Sequence, residues 1–277
     1  MSEQNTRELL GTSAEPPPPA LAALGRDLLQ TSAARRRLTL ARPYAGVAAF
    51  ALAAWQSWWW LTPPIVFLTF VAVVTVTHDV VHGTLGLSRR TTDLALFLLG
   101  LVVFESGHAY AASHLQHHRL FPHPDDPEGH PADLSVFGAI CYGPFFLPRL
   151  WCWAFNHARA YRGWLIAEAL PAPLALITGL VLWPAHPGLL VYTIGVIIGS
   201  WVYPLLTVHL PHRHYGRTPL TRTHTLRGRI VPALFLELTY HLEHHLYPQV
   251  PSHHLPELAK RLSPFFDQAG VRPWRVI

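Results

Sequence analysis

The sequence has little cysteine and little charge. Of its 277 residues only two are cysteines, Cys141 and Cys152, and only 13% are Asp, Glu, Lys or Arg. The two cysteines form neither a C-x-x-C pair nor a disulfide framework, which favours a reducing compartment. Metal ligation by thiolate is therefore excluded, and any metal site must be built from the 19 histidines.

The shortage of charge excludes an ordinary soluble domain. Half of the residues are hydrophobic, and they come in long runs. The chain is therefore expected to be integral to a membrane. The net charge of +5 is carried almost wholly by arginine. These arginines cluster beside apolar runs, which suits an anionic membrane surface, and no nucleic-acid-binding motif is present.

The first 42 residues differ in composition from the rest. They lack the apolar core and small-residue cleavage site of a secretory signal. We expect residues 1–42 to form a polar, partly disordered tail, although residues 20–30 could instead form an amphipathic helix on the membrane surface. Residues 43–277 then form one membrane domain, without an internal repeat. Near its end, 255–263 is expected to form a short amphipathic helix that Pro264 terminates.

Four apolar runs are long enough, alone or with their flanks, to cross a bilayer. They form two expected hairpins, 44–61 with 65–77 and 164–183 with 189–207. The run at 93–104 is short for a span and predicts a re-entrant or buried helix. Residues 133–155 mix aromatics, prolines and an arginine, which indicates an interfacial segment.

The arginines predict the orientation of these spans. The outer turns of the two hairpins carry no Lys or Arg, whereas the N-terminal tail, 78–163 and the C-terminal region carry essentially all of them. By the positive-inside rule these three regions are cytoplasmic. The expected fold is an all-α integral membrane protein with four transmembrane helices in two hairpins under a cytoplasmic, histidine-rich cap. A bacterial inner membrane is the expected location.

Three histidine clusters stand near the ends of the spans. On a helix, residues at i, i+3 and i+4 share one face. Eight histidines exceed the four ligands of a tetrahedral zinc and suit two metal ions that share an open site. The clusters are His78 and His82; His114, His117 and His118; and His241, His244 and His245.

Other metal-site patterns fit less well. The paired Glu-x-x-His motifs of soluble di-iron bundles are absent, because the copy at Glu105–His108 has no partner. No His-Glu-x-x-His occurs, which argues against a zinc protease. Three carboxylates near the clusters could orient ligand imidazoles by accepting the far N–H, although Glu243 could equally face solvent. They are Asp79, Glu105 and Glu243.

The three clusters carry a family resemblance. The stretches His78–Gly83, His114–Arg119 and His241–Pro248 resemble, in order and spacing, the three histidine boxes of the membrane fatty acid desaturase superfamily, which includes carotenoid ketolases and hydroxylases. The resemblance covers roughly residues 45–262. It implies a non-haem di-iron centre of two Fe ions that uses O2 to oxidise an unactivated C–H bond of a membrane lipid.

Further residues follow from the same resemblance. Leu210–Arg213 looks like a Leu-Pro-His-Arg element of beta-carotene ketolases, which suggests His212 as a ninth ligand, with His209 as the rival one turn earlier. Asp125 and Asp126 stand in an acidic stretch similar to the one after the second box of carotenoid enzymes and several desaturases. By that match they become candidate partners of ligand imidazoles rather than a solvated turn.

The expected activity is that of a membrane di-iron oxidoreductase. We favour a carotenoid ring ketolase or hydroxylase, with a fatty acyl desaturase as the alternative, since the boxes are common to both. The chain has no flavin, haem or Fe–S motif, so electrons must come from an external donor such as ferredoxin. A histidine-rich metal transporter is a third possibility. It would place ionisable residues inside its spans, yet residues 44–77 and 169–207 hold none except His186 in an outer turn.

Overall fold

The structure, a computed structural model, describes residues 15–277. The part of the expected polar tail at residues 1–14 lies outside the described residues. The described chain is mostly helical, and its two short strands, β1 (Leu226–Arg227) and β2 (Trp274–Arg275), pair in parallel. Its α-helices in chain order are α1 (Leu21–Leu24), α2 (Ala33–Trp55), α3 (Thr62–Val81), α4 (Arg89–Val103), α5 (Gly107–Leu120), α6 (Val136–His157), α7 (Arg162–Ala169), α8 (Pro171–Leu182), α9 (Gly188–Ser200), α10 (Leu210–His212), α11 (Ile230–Leu234), α12 (His241–Leu246) and α13 (Leu255–Gln268).

Within residues 15–277, four helical stretches are long and apolar enough to cross a membrane. They agree with the four expected spans, although their boundaries differ. The first begins at Ala33 rather than residue 44, because the Ser32 hydroxyl accepts from Arg35 N at 3.2 Å and caps the helix there. The stretches are Ala33–Trp55, Trp59–Val81, Arg159–Leu182 and Gly188–His212.

Helices α4 and α5 form a bent pair whose axes meet at 108°. The bend follows from Phe104, which has a left-handed φ of 54° and ends α4. Gly107 allows the two helices to touch, since a Cβ there would lie 2.4 Å from the Leu96 carbonyl oxygen. The 15-residue α4 is too short to span a bilayer alone, and it contains all but the last residue of the run at 93–104 predicted to be re-entrant or buried.

The last span reaches the histidine region through an irregular turn. After α9, residues Leu205–His209 form a π-helical turn, and α10 follows directly. A π turn adds one residue to the helical repeat and rotates the side chains that follow it. His209 and His212 therefore both end up buried at the end of this span.

The main hydrophobic core lies between the long helices, and a second hydrophobic cluster joins the two ends of the described chain. Leu24 and Leu28 pack with Leu255, Leu258 and Leu262 of α13. Beside them, the Arg261 guanidinium donates to both carboxylate oxygens of Asp27, at 2.8 and 2.7 Å. Residues 20–30 thus form a short α-helix and a 3-10 turn that lie on α13.

The expected end of the C-terminal amphipathic helix at Pro264 is wrong. Helix α13 runs on to Gln268 with Pro264 inside it. Proline removes one helical hydrogen bond, but Phe266, two residues later, is 1% exposed and packs into the second cluster. Burial of a phenylalanine side chain contributes about 1.5–3 kcal/mol, which offsets much of that cost.

Candidate metal centre

Nine histidines from four segments meet at one end of the helices. Their ring nitrogens form two groups, and within each group the nitrogens lie within 4.8 Å of one another. Nitrogens on opposite sides of an ion with bonds of about 2.1 Å would be about 4.2 Å apart, so this spacing suits one ion per group. Group one is His78, His82, His114, His118 and His244; group two is His117, His212, His241 and His245.

The spacing within each box divides its histidines between the two groups. His114 and His118, four residues apart on α5, belong to group one, whereas His117 belongs to group two. On α12 the assignment is reversed, because His241 and His245 belong to group two and His244 to group one. A residue at i+3 is rotated from one at i+4 by about 100°. The H-x-x-H-H pattern therefore lets one helix supply both groups.

Hydrogen bonds fix the tautomers of two rings in group two. His117 Nδ1 donates to Asp126 at 2.7 Å, and His212 Nδ1 donates to the Arg222 carbonyl at 3.1 Å. Burial lowers the pKa of His117, but the hydrogen bond to Asp126 and the charge of that carboxylate raise it by more, so this ring must be neutral before it can bind a metal. A neutral imidazole carries one N–H, so Nε2 of each neutral ring presents a lone pair. These two Nε2 atoms lie 3.2 Å apart. Two facing lone pairs repel each other unless a cation binds both, so the arrangement fits a metal ion.

Group one has the same character. His114 Nδ1 donates to Glu128 at 3.2 Å, which leaves its Nε2 as an acceptor 3.2 Å from His118 Nε2. His244 Nε2 lies 2.9 Å from both His78 Nε2 and His118 Nε2. One N–H per neutral ring cannot satisfy all of these contacts, and His82 Nε2 is buried without a hydrogen-bond partner. The residues present therefore fit a metal in each group.

The local electrostatics keep the third box neutral. Burial, and then the neighbouring imidazoles, hold the pKa of His244 and His245 well below its ordinary value. A neutral imidazole is the form that binds metal, so these rings need not lose a proton first. The donor set, nitrogen-rich with supporting carboxylates, is of a kind that suits iron, copper, nickel or zinc.

Two carboxylates support the second box. Asp126 accepts from His117 and also from the Glu128 backbone N at 2.9 Å. Glu128 accepts from His114 and from the Ser113 hydroxyl, the latter at 2.7 Å. The resemblance predicts a role for Asp126 but not for Glu128, although Glu128 ends the same acidic stretch. Such contacts fix ring orientation and raise ligand basicity.

The other candidate carboxylates lie farther from the rings. Asp79 Oδ1 accepts from the Ser252 backbone N and hydroxyl, at 3.0 and 2.7 Å, and lies 3.9 Å from His78 Nδ1. It thereby ties α3 to the loop before α13. Glu243 is buried and pairs with Arg227 at 2.8 Å, so it does not face solvent. Asp125 lies at the surface, 3.5 Å from His123.

Two candidates are not brought to the histidine groups. His209 donates from Nδ1 to the Pro131 carbonyl at 3.0 Å and is in neither group, whereas His212 is in group two. Glu105 stands in the bend before α5, and the first residue of α5 already lies about 10 Å from His114 along the helix axis, by the rise of 1.5 Å per residue. It lines a cavity instead.

Two apolar cavities lead to the histidines. One, of about 200 Å³, is lined by His78, His114, His117 and His241 together with apolar side chains. The other, of about 400 Å³, includes exposed lining residues between α6 and α7, among them Pro148, Cys152 and Ala169. Both cavities are lined by the same four side chains, so they adjoin there: Phe70, Val74, Tyr110 and Tyr203.

Comparison with known proteins adds independent information. Residues 57–276 match a family model described as fatty acid desaturase. The chain is 27% identical over 207 residues to a beta-carotene ketolase of Paracoccus sp. (strain PC1), covering 69% of this chain and 74% of that protein. It is 24% identical over 281 residues to a chloroplastic sn-2 acyl-lipid omega-3 desaturase (ferredoxin) of Arabidopsis thaliana, covering 82% and 63%. It is also 27% identical over 258 residues to a dihydrorhizobitoxine desaturase of Bradyrhizobium elkanii, covering 76% and 70%.

Proposed function

The chain belongs to the fatty acid desaturase family, and from this premise we propose that it is a membrane di-iron enzyme that uses O2 to oxidise a C–H bond of a lipid, most closely a carotenoid ring ketolase or hydroxylase. Its relatives indicate an oxidoreductase. The observation that carries the proposal is the pair of imidazole groups beside an apolar cavity, with the Nε2 atoms of His117 and His212 facing each other inside group two.

Two iron ions, one per histidine group, would supply the activation of O2 and the oxidising power for the C–H bond. Asp126 and Glu128 hold the imidazoles of His117 and His114 by accepting their Nδ1 protons, so that Nε2 faces the metal. The Tyr110 ring stacks on His114 with centroids 4.8 Å apart.

The cavities support an apolar substrate that enters from the bilayer. The larger cavity has exposed lining residues between α6 and α7, and the smaller one touches four of the nine grouped histidines. Apolar walls bind such a substrate through the hydrophobic effect and keep water from the reacting carbon. Phe70, Val74, Tyr110 and Tyr203 would position the molecule where the two cavities adjoin.

The choice of substrate rests on narrower observations. Leu210–Arg213 matches the ketolase-like element, and its His212 lies in group two. The Paracoccus relative is named a beta-carotene ketolase. A fatty acyl desaturase is the second candidate, because a relative named an omega-3 desaturase aligns with 82% of this chain.

The proposed orientation places the histidine groups on the cytoplasmic side of the membrane, in a bacterium the inner membrane. Support comes from the arginines, which flank the histidine-bearing ends of the spans, while the turns at 62–64 and 184–188 carry none. The spans would then form the two hairpins expected from the sequence, and a cytoplasmic reductant such as ferredoxin could reach the cap. One relative carries ferredoxin in its name.

The decisive experiment is expression in a bacterium that accumulates beta-carotene, with pigments and fatty acids from the same cells analysed by mass spectrometry. Pigments that gain oxygen, with an unchanged acyl profile, would support the carotenoid oxygenase. New double bonds in acyl chains with untouched pigment would replace it with the desaturase. The matched control is His117→Ala, which should abolish either product while the protein still inserts into the membrane.

A further inference from the structure

One surface of the cap combines an exposed aromatic ring with a concentration of arginine. Residues 213–229 and 270–277 lie together through the pairing of β1 with β2, and they contain no Asp or Glu. We call these two segments the arginine surface. Four of its seven arginines are exposed, namely Arg217, Arg229, Arg272 and Arg275, whereas Arg213, Arg222 and Arg227 are only partly exposed. Arg227 pairs with the buried Glu243, and Asp267 lies 3.8 Å from Arg272 at the edge of this surface.

Trp274 is the aromatic ring in this surface. It is 38% exposed, which leaves one part of a large apolar side chain in solvent. The Arg213 guanidinium lies 4.9 Å from the centroid of its ring. Exposed tryptophan and arginine are the residue types that carry most of the binding energy at protein interfaces.

Trp274 is also connected to the histidine groups. Its ring stacks on His224 with centroids 4.8 Å apart and planes at 17°. His224 Nε2 donates a hydrogen bond to the carbonyl oxygen of Arg213 at 2.6 Å. Arg213 follows His212 directly in the chain. The path from the solvent-exposed ring to a member of group two therefore consists of one stack, one hydrogen bond and one peptide unit.

The proposed reaction needs such an entry point. Reduction of O2 to two water equivalents takes four electrons, and oxidation of a C–H bond to an alcohol or a double bond provides two. The other two, with two protons, must come from a donor, since the sequence has no flavin, haem or Fe–S motif of its own.

We propose that the arginine surface is the docking site for a small acidic protein that carries a one-electron centre. We also propose that this protein contacts Trp274, from which the electron passes towards His212. Opposite charge favours an acidic partner and accelerates its encounter. This inference rests on the proposed function, because the electrons serve the di-iron reaction. An anionic lipid surface would also attract the arginines, but it would not require an exposed ring joined to group two.

The test uses the full-length, iron-loaded protein in nanodiscs of neutral lipid, with an acidic plant-type [2Fe–2S] ferredoxin as the probe. Stopped-flow spectroscopy gives the rate of reduction of the protein, and titration gives the dissociation constant for the ferredoxin. Dithionite, a small reductant that needs no docking, provides the reference rate. For the double variant Arg217→Glu/Arg275→Glu we expect the rate with ferredoxin to fall about 10- to 100-fold at low salt and the dithionite rate to stay unchanged.

A matched variant separates local charge from total charge. Arg89→Glu/Arg90→Glu makes the same change in net charge at two exposed arginines that begin α4, and it should leave the ferredoxin rate within about twofold. Trp274→Ala should lower the rate at saturating ferredoxin, whereas Trp274→Phe should retain most of it. Iron content and helical circular dichroism check that each variant is folded. The rate at which ferredoxin reduces the wild-type protein should fall steeply as the ionic strength rises, and this measurement needs no variant.

Three outcomes would overturn the docking site. They are equal losses in both double variants, equal losses with ferredoxin and dithionite, and a wild-type ferredoxin rate that does not depend on salt. Loss of binding to anionic vesicles with an unchanged ferredoxin rate would assign the surface to lipid instead. If dithionite-reduced protein oxidises no lipid while ferredoxin binding still depends on the arginines, the proposed function fails and the docking site stands.

Discussion

At the scale of single residues, two adjacent aspartates make a direct test of how the ligands are held. Asp126 accepts from His117 Nδ1 and is buried, whereas the Asp125 side chain is 81% exposed. Asp126→Asn replaces the acceptor that fixes the ring, and we expect about 10- to 100-fold weaker iron binding. Iron content after dialysis against graded chelator measures it. The control Asp125→Asn should match the wild type, and an equal loss in both variants would contradict the assignment.

A second residue-scale prediction separates His212 from His209. His212→Ala removes one of the four nitrogens of group two, so we expect it to lose iron from that group and to lose activity. His209→Ala breaks only a hydrogen bond to the Pro131 carbonyl and should keep its iron, with some loss of stability. The number of iron ions per chain, measured by elemental analysis, decides which of the two histidines is a ligand. Two retained irons in His212→Ala, or loss in His209→Ala alone, would exchange the roles.

Much of the site could be predicted at this scale. The box histidines are recognisable because a 3.6-residue repeat puts i, i+3 and i+4 on one face. What the repeat could not give is the division into two groups, which depends on how α5 and α12 face each other. The partner of His114 could not be found either, because Glu128 reaches it only through the fold of the loop after α5.

At the scale of helices, close packing of α6 against the last span is a testable requirement. A Cβ added at Gly143 would lie 2.0 Å from the Trp201 carbonyl oxygen, which is backbone and cannot turn away. Gly143→Ala should therefore push α6 from the end of α9, lower the melting temperature and disturb the cavity lined by Gly143 and Trp201.

The matched control for this variant is Gly163→Ala, because nothing lies within 4 Å of a Cβ at Gly163. Residue 163 is in the first turn of α7, where alanine is favoured over glycine by up to about 1 kcal/mol. Thermal unfolding in detergent should therefore show a loss for Gly143→Ala and no loss for Gly163→Ala. Equal melting temperatures would mean that the helix contact is not tight.

Helix boundaries were predicted less well than the existence of helices. The apolar runs identify the spans, but the start at Ala33 depends on the Ser32 cap, and the length of α13 depends on the burial of Phe266. Both are tertiary or capping effects that override local preference. The bend between α4 and α5 depends on the left-handed backbone conformation of Phe104. Such a conformation is hard to predict from sequence for a residue other than glycine.

At the scale of the whole molecule, the N-terminal segment should stabilise the C-terminal half of the site. Leu28 is fully buried against α13, whereas the neighbouring Leu29 is 41% exposed. Leu28→Ala should cost about 2–5 kcal/mol of unfolding free energy, because it leaves a cavity in the second cluster. We also expect it to release iron more readily, since α13 follows the third box closely.

Leu29→Ala is the control and should change the stability little, because its side chain is largely in solvent. Chemical denaturation followed by tryptophan fluorescence, with iron content measured in parallel, provides both readouts. If the two variants unfold at the same denaturant concentration, the N-terminal segment contributes nothing to the cap. The sequence allows an amphipathic helix at 20–30, but it does not show that Leu24 and Leu28 pack on α13, because that contact depends on the tertiary fold.

The order in which the chain is synthesised determines when each histidine group has all of its ligands. Group one takes residues from His78 to His244, and group two from His117 to His245. Neither group is complete until the third box has left the ribosome, when the earlier spans are already made. The proposed metal centre could therefore be completed only after the third box has been made, and chains that stop before residue 241 lack ligands in both groups. Iron loading would then act as a check on complete synthesis, which a chelatable-iron assay on nascent-chain truncations could follow.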